Sequence, residues 1–132
     1  SATAIIREAK RAVEKHPESA ILARCGGNPE KINAKIVIDC AKEGDATAKQ
    51  VFDDYVKALA HGIVSIFNML DPEVIVLGGG VSMAGEYLLD AVRAAVKPLV
   101  FFKTLPYPSI QLARLGADAG IIGAALLGTE KK

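Results

Sequence analysis

Val74-Ile75-Val76-Leu77-Gly78-Gly79-Gly80-Val81 joins an apolar strand to a turn without side chains, and the pattern that follows it is helical. Glycine lets the backbone turn with positive φ and lets a ligand reach main-chain N–H groups with no Cβ in the way. A helix N-terminus beyond such a turn adds unpaired donors and partial positive charge, a setting that suits phosphates and nucleotides. Asp71-Pro72 ends one helix just before the strand. Gly78, Gly79 and Gly80 therefore fall at the carboxyl end of a strand, where open α/β sheets place ligands. The same three glycines also suit a plain tight connection between two buried elements.

Toward the N-terminus, residues 73–77 show no polar alternation, the pattern of a strand covered on both faces. Before them, Ala48, Val51, Phe52, Tyr55, Leu59, Ile63, Ile66, Phe67 and Leu70 keep a helical period over 46–70, a rod about 37 Å long. Its second half, from Ala58, is apolar almost all round and is expected to be buried. Asn33 suits the cap of a helix over 34–43 with Ile36, Val37 and Cys40 inward, Gly44 stops that helix, and Asp45 caps the long one. Residues 17–31 hold two prolines and Gly26-Gly27-Asn28-Pro29, which predicts a loop with a short helical turn over 20–23. Residues 1–15 form an amphipathic helix with Ile5, Ile6, Ala9, Ala12 and Val13 on one side and Ser1 or Thr3 as candidate caps.

Toward the C-terminus, Leu88, Leu89, Val92, Val96 and Leu99 mark a helix over 84–97, ended by Pro98. Pro106-Tyr107-Pro108 reads as a loop, and 109–113 alternates as a second strand with Ile110 and Leu112 on one face. Gly116-Ala117-Asp118 opens a last helix over 119–127, whose small residues permit close packing, before a polar tail. Two strands joined through a helix belong to a larger sheet. The missing strands are expected from another part of a parent protein or from another copy of this chain.

The 132 residues fit one domain. A content of 51% hydrophobic but only 5% aromatic residues points to a helix-rich α/β protein. Sixteen Lys and Arg stand against 15 Asp and Glu without a basic stripe, so nucleic-acid binding lacks support. Cys25 and Cys40 form no CxxC motif and read as free thiols in a reducing cytoplasm. His16 and His61 have no partners at metal-ligand spacing. No apolar run approaches the roughly 20 residues that span a membrane, and no signal-peptide pattern is present, so a cytoplasmic location is expected. The chain does not begin with Met, and its start reads as cut.

Residues 67–127 resemble the carboxyl-terminal end of the ROK family of sugar kinases and repressors, the bacterial glucokinases in particular. Asn68-Met69-Leu70-Asp71-Pro72-Glu73-Val74-Ile75-Val76-Leu77-Gly78-Gly79-Gly80-Val81-Ser82 is similar to that family's adenosine motif with its approach. Leu115-Gly116-Ala117-Asp118-Ala119-Gly120-Ile121-Ile122-Gly123-Ala124-Ala125 is similar to its terminal helix. Ala2-Thr3-Ala4 resembles the segment after the family's zinc-binding cysteine motif, and Lys42-Glu43-Gly44-Asp45 its inter-helix corner.

The resemblance implies an actin-like ATPase (ribonuclease H-like) fold, with residues 1–132 as the C-terminal fragment of the large lobe. It implies ATP with Mg²⁺ as cofactor and a hexose as substrate. It makes Gly78, Gly79 and Gly80 the cofactor-binding residues, through their backbone, with Ser82 and Asn68 as neighbouring candidates. Plain readings stand beside both: Ser82 as a helix cap, Asn68 as the partner of a helix end. The family's phosphate loop, catalytic Asp, sugar-contacting Glu and His, and zinc ligands fall before Ser1, so no catalytic or metal residue is assigned here. The reading is thus the nucleotide-binding part of an ATP-dependent sugar kinase, inactive alone and associating with copies of itself. The alternative is the sugar-responsive domain of a ROK repressor, although a regulator has no need of an adenosine cradle.

Overall fold

A computed structural model describes residues 2–101, 107–115 and 118–127. The elements run α1 (Ala2–Lys15), α2 (Ala20–Arg24), a 3₁₀ turn (Pro29–Lys31), α3 (Ala34–Lys42), α4 (Ala46–Leu70) and β1 (Val74–Leu77). A second 3₁₀ turn (Gly80–Ala84), α5 (Glu86–Val96), β2 (Ser109–Leu112) and α6 (Ala119–Leu127) follow. The periodicities over α1, α3 and α4 therefore reproduce the elements nearly residue for residue. Ser1 and residues 116 and 117, read as a cap and a helix opening, lie outside the described residues.

Helix α4 is the axis of the core, packing against α1, α3 and α5. Its N-terminal half buries Ala48, Val51, Phe52 and Val56 at helical spacing. Phe52, Ile5, Ile21, Leu88, Val37 and Val92 are the largest fully buried side chains, each stabilising the fold by about 1.5–3 kcal/mol. Phe52 meets the Tyr87 ring of α5 at a centroid distance of 4.7 Å, which ties the two helices together beyond simple area burial.

The strands pair in parallel, with Val74 opposite Ser109 and Leu77 opposite Leu112. Leu77 and Ile110 are buried on the core side. Arg93 of α5 donates to the Ile110 carbonyl at 2.9 Å, holding β2 against the helix.

Several expectations are corrected. The strand at 74–77 is covered on one face only: Val76 is 56% exposed and Val74 nearly as much, because no described element lies over that side. The second half of α4 is largely open rather than buried, with Met69 at 77% and Leu70 at 70% exposure. Beyond Val64, Phe67 still packs against the core while Ser65, Ile66 and residues 68–70 are exposed. Helix α6 is exposed along its length instead of closely packed. On α3 the inward face is Val37, Ile38, Cys40 and Ala41, leaving Ile36 only half-buried. Thr3 lies within α1 rather than capping it.

The polar caps behave as read. Asn33 accepts from the Ile36 N–H at 2.9 Å, and Gly44 takes φ +93°. Asp45 does more than was read from the chain. Its carboxylate accepts from the Ala48 N–H at 2.7 Å, from the Ala20 N–H at 2.8 Å and from the Ser19 hydroxyl at 2.9 Å. One side chain thus caps α4 and ties down the start of α2.

Desolvation raises the Asp45 pKa, but the Ala48 and Ala20 N–H bonds and the Ser19 hydroxyl outweigh it and leave the carboxyl below its ordinary value. A depressed carboxyl contributes stability that is fully present above its unfolded pKa, about 3.9, and is lost as pH falls through the folded value. Asp45→Ala is expected to cost about 1–2 kcal/mol. Urea unfolding at pH 7 and below pH 4 checks this: the gap between wild type and variant should shrink in acid.

Candidate functional site

Gly78, Gly79 and Gly80 are exposed and line a groove of about 420 Å³ at the carboxyl end of β1. Its walls are Tyr55 and Leu59 of α4, Leu88 of α5, Val76 of β1, and Ala2. The turn is thus open, as a ligand-facing loop must be, and is not a sealed connection between buried elements.

The local chain explains the opening. Gly79 sits at φ +82°, ψ −176°, a region essentially closed to residues with a side chain. A Cβ there meets nothing within 4 Å, so backbone conformation, not crowding, demands the glycine. At Gly78 and Gly80 an added Cβ would make ordinary contacts, 3.6 Å from Ala113 Cβ and 3.7 Å from Ala2 Cβ. Among the described residues, the N–H groups of Gly78, Gly79, Gly80 and Val81 form no backbone hydrogen bond. The ladder that pairs the Ala113 N–H with Leu77 O at 2.8 Å stops there, and the main chain beyond it lines the groove.

The helix read over 84–97 is α5, Glu86–Val96, and between it and the glycines lies the 3₁₀ turn Gly80–Ala84, which the pattern did not signal. The physical reason is Gly85, which at φ +65° and ψ −141° breaks the helical path between them. Ser82 consequently caps no helix. Its hydroxyl donates back to the Gly79 carbonyl at 2.7 Å, bracing the turn from within, and the residue lines the groove. Asn68 is exposed in the last turn of α4 and is not among the groove's lining residues. Asp71, at φ +43°, ends α4 through its own N–H to Phe67 O.

Tyr55 and Leu59 were read only as stripe residues of a core helix. Nothing in a helical period distinguishes a residue facing a groove from one facing the core. Burial pushes the Tyr55 phenol up, so it stays neutral at physiological pH. Among the described residues, no carboxylate lines the groove. The described lining therefore offers bare main chain and an apolar wall, which suit a flat base and a phosphate edge, and among the described residues no group to hold Mg²⁺ or to take a proton.

Among the described residues, no three His, Cys, Asp or Glu side chains gather as a metal site. Both cysteines are free and buried, and burial raises the Cys40 thiol pKa, the state of an inert core thiol. His61 is exposed within α4. No described helix is long and apolar enough to cross a membrane. A larger concavity of about 770 Å³ lies between α1 and the start of α4. Its charges are mixed and partly paired, with Arg11 3.2 Å from Glu8, so no set of groups converges there on one ligand.

The description of the ROK family matches residues 13–131. The chain is 34% identical over 131 residues to a glucokinase of Thermotoga maritima, covering 99% of this chain and 41% of that protein. It is 37% identical over 108 residues to an N-acetylmannosamine kinase of Yersinia pestis, covering 82% and 36% respectively. A ROK family glucokinase from Streptomyces griseus, solved in complex with glucose and AMPPNP, superposes with a TM-score of 0.87 at 31% identity, over 96% of this chain and 42% of that one. The chain thus spans about two-fifths of the length of these relatives.

Gly79→Ala is expected to destabilise the fold by about 1–3 kcal/mol, whereas Gly80→Ala should stay within about 0.5 kcal/mol of wild type. Thermal unfolding of the two variants side by side checks the contrast.

Proposed function

The chain belongs to the ROK family, and we propose that it forms the nucleotide-side, C-terminal part of the large lobe of an ATP-dependent sugar kinase. Its fold is that of ROK sugar kinases, the actin-like ATPase fold, with two strands of the sheet in this chain. The reaction of the whole protein would be of the glucokinase type, moving the terminal phosphoryl group of ATP to a hexose hydroxyl. Relatives named as glucokinases and an N-acetylmannosamine kinase support catalysis over the repressor alternative.

One observation carries the reading at residue level. The backbone of Gly78, Gly79 and Gly80 lines a groove beside an apolar wall, and among the described residues its N–H groups make no backbone hydrogen bond. Adenosine and the inner phosphates would lie against it. Phosphoryl transfer also requires bound Mg²⁺, a positioned γ-phosphate and an oriented nucleophile, and no described groove residue supplies these. The chain alone would bind ATP without phosphorylating glucose. The family's zinc site forms no part of this proposal, since no described residues gather to hold it. A reducing, cytoplasmic setting belongs to the same reading, supported by the two free buried thiols.

Equilibrium dialysis tests the binding. ATP should be retained by wild type, and Gly80→Val should weaken it by about tenfold or more by blocking approach to the main chain. No retention by a folded wild-type chain overturns the assignment, as does glucose phosphorylation by this chain above a protein-free control.

Self-association is the other part of the reading. It is supported by a two-stranded sheet and by exposed Val76, Met69 and Leu70 in the adjoining region. Light scattering across concentration should show a mass above that of one chain, and a strict monomer would refute it.

A further inference from the structure

We infer that Lys42 is a positioning residue for the glycine turn, an inference that rests on the nucleotide reading of that turn. Helix α3 ends at Lys42, in the corner Lys42-Glu43-Gly44-Asp45, and packs against the Gly80–Ala84 turn. From there Lys42 Nζ donates to the Ala84 carbonyl at 3.4 Å and lies 5.4 Å from the centroid of the Tyr87 ring. Ala84 is the last residue of the 3₁₀ turn and Tyr87 belongs to the first turn of α5. A single cation therefore grips the chain on both sides of Gly85.

That joint is where the grip matters. Gly85 has positive φ and caps α5 without any side-chain hydrogen bond, so its own residue restrains little. Tyr87 is a firm anchor because its ring stacks on Phe52, which is 2% exposed in α4. Fixing the Ala84 carbonyl fixes the turn through the Gly85 N–H to Ser82 O bond at 3.0 Å and the Ser82 N–H to Gly79 O bond at 3.1 Å. The chain of contacts thus runs from the core through Tyr87 and Lys42 to the turn that lines the groove. The neighbouring Asp39 carboxylate accepts from Lys35 at 2.6 Å and feels Lys42 as a further nearby positive charge. A cation over an aromatic face with a shared carbonyl is an interaction that arginine reproduces and methionine does not.

Hydrogen exchange on the chain, wild type and Lys42→Met, tests the positioning without nucleotide. The amides of Ser82, Gly85, Leu88 and Leu89, hydrogen-bonded within the turn or to Gly85 at the joint, should exchange about tenfold faster in the variant while those of α1 keep their rates. Lys42→Arg should restore wild-type rates. Unchanged rates at the joint, or an equal rise everywhere, overturn the inference. ATP dialysis forms the second arm, with Lys42→Met expected to raise Kd about threefold to tenfold and Lys42→Arg to leave it near wild type. If wild type binds ATP and Lys42→Met binds it equally well, the positioning role fails. If wild type binds none, the nucleotide reading fails, and the exchange rates still decide whether Lys42 holds the turn.

Discussion

A parallel strand pair cannot be closed by a hairpin, so the chain must leave β1 at its carboxyl end and return to the start of β2 over a crossover. Pairing Val74 with Ser109 imposes that path here, and α5 lies within it. Tyr87 fastens α5 to Phe52 of α4, and Arg93 fastens it to the backbone of β2. The turn after Leu77 therefore has to clear the end of the sheet and drop into the α5 layer within a few residues. Two glycines with positive φ, Gly79 and Gly85, bracket the descent. The backbone that makes the descent is the backbone that lines the groove.

The helical part of the molecule is self-contained, while the sheet part is not. Ser19 is the buried polar side chain of the described structure, at 3% exposure, and its hydroxyl is spent on Asp45. Asp45 closes the corner that begins at Lys42, so the residues that terminate α3 also start α4, hold α2 and reach the glycine turn. Beyond that corner α4 carries the core for its first half and then leaves Ile66, Met69 and Leu70 in the open, as Val74 and Val76 of β1 are. Ile121 and Leu127 of α6 extend the same apolar character. Apolar surface of this extent is costly to leave in water.

The helices were legible because their signals are local. Asn33, Gly44 and Asp45 punctuate the chain by direct side-chain or φ effects on adjacent backbone, and the stripe of α4 needs no knowledge of its surroundings. The glycine turn was legible for the same reason, since its chemistry resides in the main chain. Burial was not. Val74 and Val76 are residues that favour cover, but composition does not say whether the cover lies within the same 132 residues. The 3₁₀ turn was hidden because Gly85 resembles any glycine in a loop until its neighbours fix its φ. Lys42 and Tyr55 were invisible as site residues, since the distances that give them meaning span tens of positions along the chain.

The character of the groove has an electrostatic consequence. Peptide N–H groups do not titrate, and among its described lining residues the ionisable side chain is Tyr55, a phenol that burial pushes still further up. A phosphate bound there would meet the same field throughout the physiological pH range. On the proposed reading, a pH dependence of the complete phosphoryl transfer would therefore come from the acid–base groups acting on the sugar hydroxyl and from the nucleotide itself. A surface built of fixed dipoles binds by geometry alone, which is why a strained residue such as Gly79 and a positioning contact such as that of Lys42 matter there more than any charge that the groove contains.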